Sequence, residues 1–193
     1  MQNSRIIHLP AMKAAYSGPL TDEESFDRFN NWFSAYHASL TNELYPRDFM
    51  WYNERLGVQE WFYALPAGAK AEDCAGFEIT DLPSGLFAVA SCLDADLDHA
   101  ADWLDTREKL LQWAAGSDSF KAYENGEGKA ERYPMFHIVS PGSLQAEKIS
   151  IEDLYLPIEM RSQPEICSSP SGGMRSVGRF FHERLQFHEN SVY

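Results

Sequence analysis

The sequence predicts an α+β fold built from a strand-helix-strand-strand unit that occurs twice. Two observations lead there. Strand-like, helix-like and strand-pair patterns follow one another and then begin again in the same order. The second run also echoes the first residue by residue: Leu9-Pro10 followed by Ala15 matches Leu82-Pro83 followed by Ala88 without a gap.

Taken in order, residues 5 to 16 (RIIHLPAMKAAY) read as a strand bent at Pro10, since proline cannot donate to a sheet ladder. Ser17-Gly18-Pro19 turns the chain, and Thr21 followed by Glu24 has capping-box spacing for a helix start. Phe26, Phe29, Trp32 or Phe33, Tyr36 and Leu40 then recur every three to four residues, an apolar helical face. DFMWYNER at 48 to 55 and EWFYALP at 60 to 66, separated by Leu56-Gly57-Val58, read as two paired strands.

The second unit follows a turn-rich segment from Pro66 to Glu72. GFEITDLPSGLFAVASCL matches the first strand region, with Gly85 expected to permit a tight turn between two β segments. ADLDHAADWLDTREKLLQWAAG predicts a second helix with Leu97, Ala100, Leu104 and Leu111 inward and Gly116 as its stop. After the polar loop SDSFKAYENGEGKAE, YPMFHIVSP and EDLYLPIEM form a closing strand pair, in which Phe49 is matched with Phe136 and Tyr63 with Tyr155. The organisation expected is therefore a duplicated domain over residues 1–160 and an extension over 161–193. In the extension QPEICSSPSGG is a linker by composition, and Val177, Phe180, Phe181 and Leu185 fit one apolar helical face. Docking on the domain, exchange with another subunit and mobility all stay open for it.

Composition narrows the function. A formal charge of -13 argues against direct nucleic-acid binding, which needs concentrated Lys and Arg. Five Trp, nine Tyr and twelve Phe exceed what a core of this size usually needs, so some rings are free to line a ligand cavity. Cys74, Cys92 and Cys167 are few, scattered and odd in number, which suits a reducing, cytoplasmic setting. The N-terminus lacks a secretory pattern and no stretch approaches a bilayer span, so no membrane role is expected. No cofactor or metal is expected either. His182-Glu183 and His188-Glu189 lack the one-turn spacing of a zinc helix, and no phosphate-cradling glycine motif occurs.

The opening LPAMKAAYSGP, the central FEITDLPSGLFAVASC and the closing PMFHIV followed by DLYLPIE together resemble the GyrI-like effector-binding family. That family includes DNA gyrase inhibitor-like proteins and the drug-binding domains of AraC- and MerR-type multidrug regulators. The resemblance spans about residues 5 to 160. It implies a pseudo-two-fold antiparallel sheet whose strands line a central groove for lipophilic, often cationic, aromatic compounds. Because no DNA-binding segment precedes this domain, the expected role is a stand-alone sensor or binding protein. Alternatives are a hydrolase of reactive cyclopropane-containing compounds, and a partner of gyrase or of another regulator. A homodimer is also compatible. One departure matters: where the family places a buried Glu in a Phe-Glu-x-Tyr strand, this chain has Phe136-His137-Ile138-Val139. His is not a permanent negative charge, so either the ligand is no cation or another carboxylate serves.

The candidate ligand-binding residues are His137, Tyr155, Trp51, Trp61, Tyr63 and Phe136. Trp51 with Phe49, and Trp61 with Tyr63, are same-face pairs by strand alternation, and only about half of the aromatics on this strand pair face one side of the sheet. Glu131, Glu152, Asp153, Glu159 and Glu60 are the carboxylates near these strands, each expected at a solvated surface position.

Overall fold

A computed structural model describes residues 4–40, 47–95, 100–139 and 149–161. These belong to one compact unit, Met1–Arg161. Leu97, Cys167, the linker and the sequence 177–189 lie outside the described residues. The strands are β1 (Arg5–Leu9), β2 (Met12–Leu20), β3 (Asp48–Asn53), β4 (Val58–Ala64), β5 (Glu78–Leu82), β6 (Gly85–Ala95), β7 (Phe120–Ala122), β8 (Met135–Ile138) and β9 (Ile149–Met160). The helices are α1 (Glu23–Ser39) and α2 (Ala100–Ala115).

All nine described strands form one antiparallel sheet, open at both edges, in the order β1-β6-β9-β8-β3-β4-β2-β5, with β7 also pairing β9. Exchanging the two copies (β1 for β5, β2 for β6, β3 for β8, β4 for β9) reverses this order without altering it. The duplication expected from the sequence is thus a two-fold relation in the topology. At its centre each copy's first strand is broken, at Pro10-Ala11 and at Pro83-Ser84. Leu9 pairs with Gly85 and Met12 with Leu82, so the breaks face each other and each copy's opening strand crosses into the other's half of the sheet.

Local chemistry explains the elements and corrects some expectations. The N-cap of α1 is Asp22, one residue after Thr21. Its carboxylate accepts from the Ser25 amide at 2.8 Å, and the Ser25 hydroxyl accepts from the Asp22 amide at 3.3 Å. A short Asp reaches the third amide of the turn as well as Thr does, and Ser25 supplies the reciprocal bond. Phe29 and Phe33 of α1 are buried, as its periodicity predicts. In α2 Leu111 packs against the core as predicted, together with Trp103, Leu110 and Ala114, while Leu104, also predicted inward, is exposed. Beyond α2, Arg161 returns to its end, donating to the carbonyls of Ala114 and Ala115 and supplying the cations a helix C-terminus favours. Strand β7 arises within a segment read as loop, because its backbone meets the end of β9 (Phe120 opposite Met160).

Both helices cover one face of the sheet. There Phe29, Phe33, Leu110 and Ala114 pack with Met50, Trp61, Tyr63, Ala88, Phe136, Leu154 and Ile158 in a single core. The opposite face carries two smaller clusters, around Phe49, Phe87, Met135 and Tyr155 and around Ala14, Phe62 and Leu82. No helix among the described residues is long and apolar enough to cross a membrane.

Candidate functional site

Strand alternation sorts the candidate residues by face. Trp51, His137 and Tyr155 lie on the helix-free face, whereas Trp61, Tyr63 and Phe136 point beneath the helices. The Trp61 indole donates to Asp48 Oδ2 at 3.0 Å and packs on Phe26, Phe29 and Phe33. Tyr63 is fully buried, its hydroxyl 3.1 Å from His37 Nδ1. Phe136 meets Trp103 edge to face.

The repeat matching of Phe49 with Phe136 and of Tyr63 with Tyr155 is displaced by one residue, because each of those pairs is split between the two faces. Cross-strand register gives the true equivalents. Tyr16 pairs with Phe62 and its counterpart Val89 with Tyr155, so Phe62 corresponds to Tyr155 and Glu60 to Asp153.

On the helix-free face two half-sites result. In the first, Tyr16 stacks on Phe62 (5.1 Å, 14°), Tyr133 stacks on the same ring (5.6 Å, 18°), and Trp51 lies 4.2 Å from Tyr133. Beside this wall is Glu60, 4 % exposed, opposite Trp51 in the β3–β4 ladder. Its Oε1 accepts from Asn53 Nδ2 at 2.8 Å, and the Tyr16 hydroxyl bonds to it. Burial first, then this bond and the charge of Glu60, push the Tyr16 phenol well above its ordinary range, so Tyr16 stays a neutral donor. Among the described residues no cation forms an ion pair with Glu60.

The second half-site gathers Phe49, edge to face with Tyr155 at 5.4 Å, and Phe87 beyond Tyr155. Its carboxylate, Asp153, is already answered: Arg5 Nη2 and the Ser91 hydroxyl each donate to it at 2.5 Å. His137 is opposite Asp153 in the β8–β9 ladder, and its Nδ1 donates to the Asp48 carbonyl at 2.7 Å. Burial pushes the Tyr155 hydroxyl up to about 12, helped by Asp153, so it too remains neutral.

Burial alone would lower the His137 pKa, but bonding to Asp48 and the charges of Asp48 and Asp153 outweigh it, and the net shift is upward. The stabilisation from protonated His137 is therefore complete below its unfolded value of about 6.5 and is lost as pH rises through the higher folded value. Urea titrations of wild type and His137→Gln across that window should show the wild type losing stability with rising pH while the variant stays flat. Parallel profiles would refute the assignment.

Of the five carboxylates expected at the surface, Glu60, Glu152 and Asp153 are buried. Sequence reading also missed Tyr16, Phe62 and Tyr133. The hairpin register that pairs Asn53 with Val58 places Glu60 and Phe62 on the face of Trp51, a signal available once the turn is counted as Glu54–Gly57. Among the described residues no group of three His, Cys, Asp or Glu could hold a metal ion.

No protein-family model matches the chain, and no curated protein matches its sequence. Solved structures do match its fold. A hydrolase from Listeria innocua aligns at 11 % identity over 82 % of this chain and 92 % of that one, with a TM-score of 0.54. EcmrR, in its complex with DNA in EcmrR-RPo, aligns at 12 % identity over 81 % of this chain and 57 % of that one, with a TM-score of 0.55. The EcmrR C-terminal domain aligns at 8 % identity over 81 % of this chain and 97 % of that one, with a TM-score of 0.50. At such identities the likeness is one of fold.

Proposed function

We propose that this chain is a binding module for lipophilic aromatic compounds, taken up on the helix-free face between the two copies and favoured when they carry a positive charge. The observation that carries the reading is Glu60: a buried carboxylate with only neutral partners among the described residues, beside a wall formed by Tyr16, Phe62, Tyr133 and Trp51. Taking a carboxylate out of water is costly unless it is paired, and a cationic ligand would supply the missing charge. A ring face open to the ligand adds a cation–π contact of about 0.5–2 kcal/mol when desolvated. Glu60 also fills the gap left by His137, which stands at the position where the GyrI-like resemblance expects the acid. A role as the ligand-sensing part of a regulatory system is supported by the GyrI-like resemblance, with which the fold shared with the EcmrR C-terminal domain agrees.

Calorimetric titration with benzyltrimethylammonium and with its neutral carbon isostere, neopentylbenzene, tests the reading. Micromolar binding of the cation, with the isostere at least tenfold weaker and Trp51→Ala weakening both, is the expected result. Equal affinity for the two compounds would reject the charge preference, and saturable binding of neither would reject the module itself.

A further inference from the structure

The ring seated in the first half-site belongs to the protein. Tyr133 lies outside any strand, in the segment leading from β7 to β8, yet its side chain completes the stack with Phe62 and Trp51. Its hydroxyl donates to Glu131 Oε2 at 3.2 Å. Burial, with the charge of Glu131 and its hydrogen bond, pushes it up to about 12, so a neutral phenol occupies the slot.

Residues 130–134 also separate two open basins, the second of which extends past the helix-free face to Arg107 of α2. On one side an open basin of about 520 Å³ is bordered by Met12, Leu82, Pro83 and Tyr133. On the other a second, also about 520 Å³, is bordered by Trp51, Asn53, Arg107 and Pro134. Glu131 borders both, so the segment is the partition between them.

The segment is built to dock as a unit. Asn125 bonds both backbone groups of Arg132 at 2.9 Å, and the Tyr123 hydroxyl donates to the Ala130 carbonyl at 2.7 Å, closing a compact loop on itself. The guanidinium of Arg132 lies over the Tyr123 ring at 4.3 Å and rests on Gly85, where a Cβ would stand 2.6 Å from Arg132 Cζ. This corrects the expected reason for Gly85. Its φ is not in the left-handed range, so glycine here leaves room for the Arg132 guanidinium rather than making a turn. The docking is incomplete in one respect: Arg132 Nε is buried with no hydrogen-bond partner among the described residues. An unmet buried donor favours release of the segment.

We infer that Tyr133 is an intramolecular placeholder for the ligand's ring, and that a flat, phenol-sized aromatic group binds by displacing it and joining the two basins. This rests on the groove reading above and names its aromatic subsite and the device that competes for it. The test is titration of the full chain with p-cresol, the free counterpart of the tyrosine side chain, by calorimetry. Tyr133→Ala should bind p-cresol at least tenfold more tightly than wild type. Tyr133→Phe, which keeps the ring and loses the Glu131 bond, should stay within about threefold of wild type. Gly85→Ala, which unseats Arg132 and leaves every ring in place, should raise affinity severalfold and carries the test independently if Tyr133→Ala misfolds. Saturable binding with the same affinity in wild type, Tyr133→Ala and Gly85→Ala would overturn the placeholder and leave the groove standing. Saturable binding in none of them would overturn both.

Discussion

Truncation of Tyr63 to alanine is expected to cost the fold about 3–5 kcal/mol, the range for removing a large aromatic side chain from a packed interior, and to leave ligand affinity unchanged in the molecules that remain folded. Tyr63 has no exposed surface, and its ring meets those of Trp32, Phe33 and Tyr36 beneath α1. Its hydroxyl bonds to His37, so the substitution also strips a partner from a part-buried ring nitrogen. Against a typical total stability of about 5–15 kcal/mol, such a loss is a large fraction of the whole. Urea unfolding followed by circular dichroism reads it directly. Trp51→Ala is the matched control, since Trp51 is only partly buried and touches Tyr133 on the other face. It should lose less stability and more affinity. The reverse pattern, a stable Tyr63→Ala chain that no longer binds, would place Tyr63 in the ligand site and invert the face assignment.

That contrast marks where the sequence was legible. Alternation identified Phe49 with Trp51 and Trp61 with Tyr63 as same-face pairs, and the structure keeps both pairings. Which pair faces the helices is decided by the register of β4 against β2 and β3, a long-range property with no trace in either strand alone. The repeat was legible for a similar reason. The Leu-Pro echo marks the bend where the two copies cross, and such a bend is a local feature. Matching Phe49 with Phe136 and Tyr63 with Tyr155 instead followed residue identity, and in a strand a slip of one position exchanges the two faces. Glu60 was hidden by its setting: one of 29 acidic residues in a strongly charged chain, it reads as surface until Asn53 and Tyr16 are seen to hold it. Gly85 misled in the same way, because its reason is Arg132, brought to it only by the folded loop.

The second large effect belongs to Glu60. Glu60→Gln should weaken binding of benzyltrimethylammonium by about 30-fold, equivalent to about 2 kcal/mol, and leave neopentylbenzene binding within a factor of about two. The amide keeps the size of the side chain and can still accept from Asn53 Nδ2, so the bond that positions it survives. The charge alone is removed. Folded stability should hold or rise, because an amide costs less to bury than a carboxylate whose only partners among the described residues are neutral. The second half-site cannot take over. Asp153 is engaged by Arg5 and Ser91, so a cation arriving there would have to displace an arginine already in contact. Removing that arginine therefore gives the converse experiment: in a Glu60→Gln, Arg5→Ala chain, Asp153 loses its cation, and part of the lost affinity should return. If the double variant binds no better than Glu60→Gln, the two carboxylates are equivalent in topology but not in function, and Glu60 alone selects for charge.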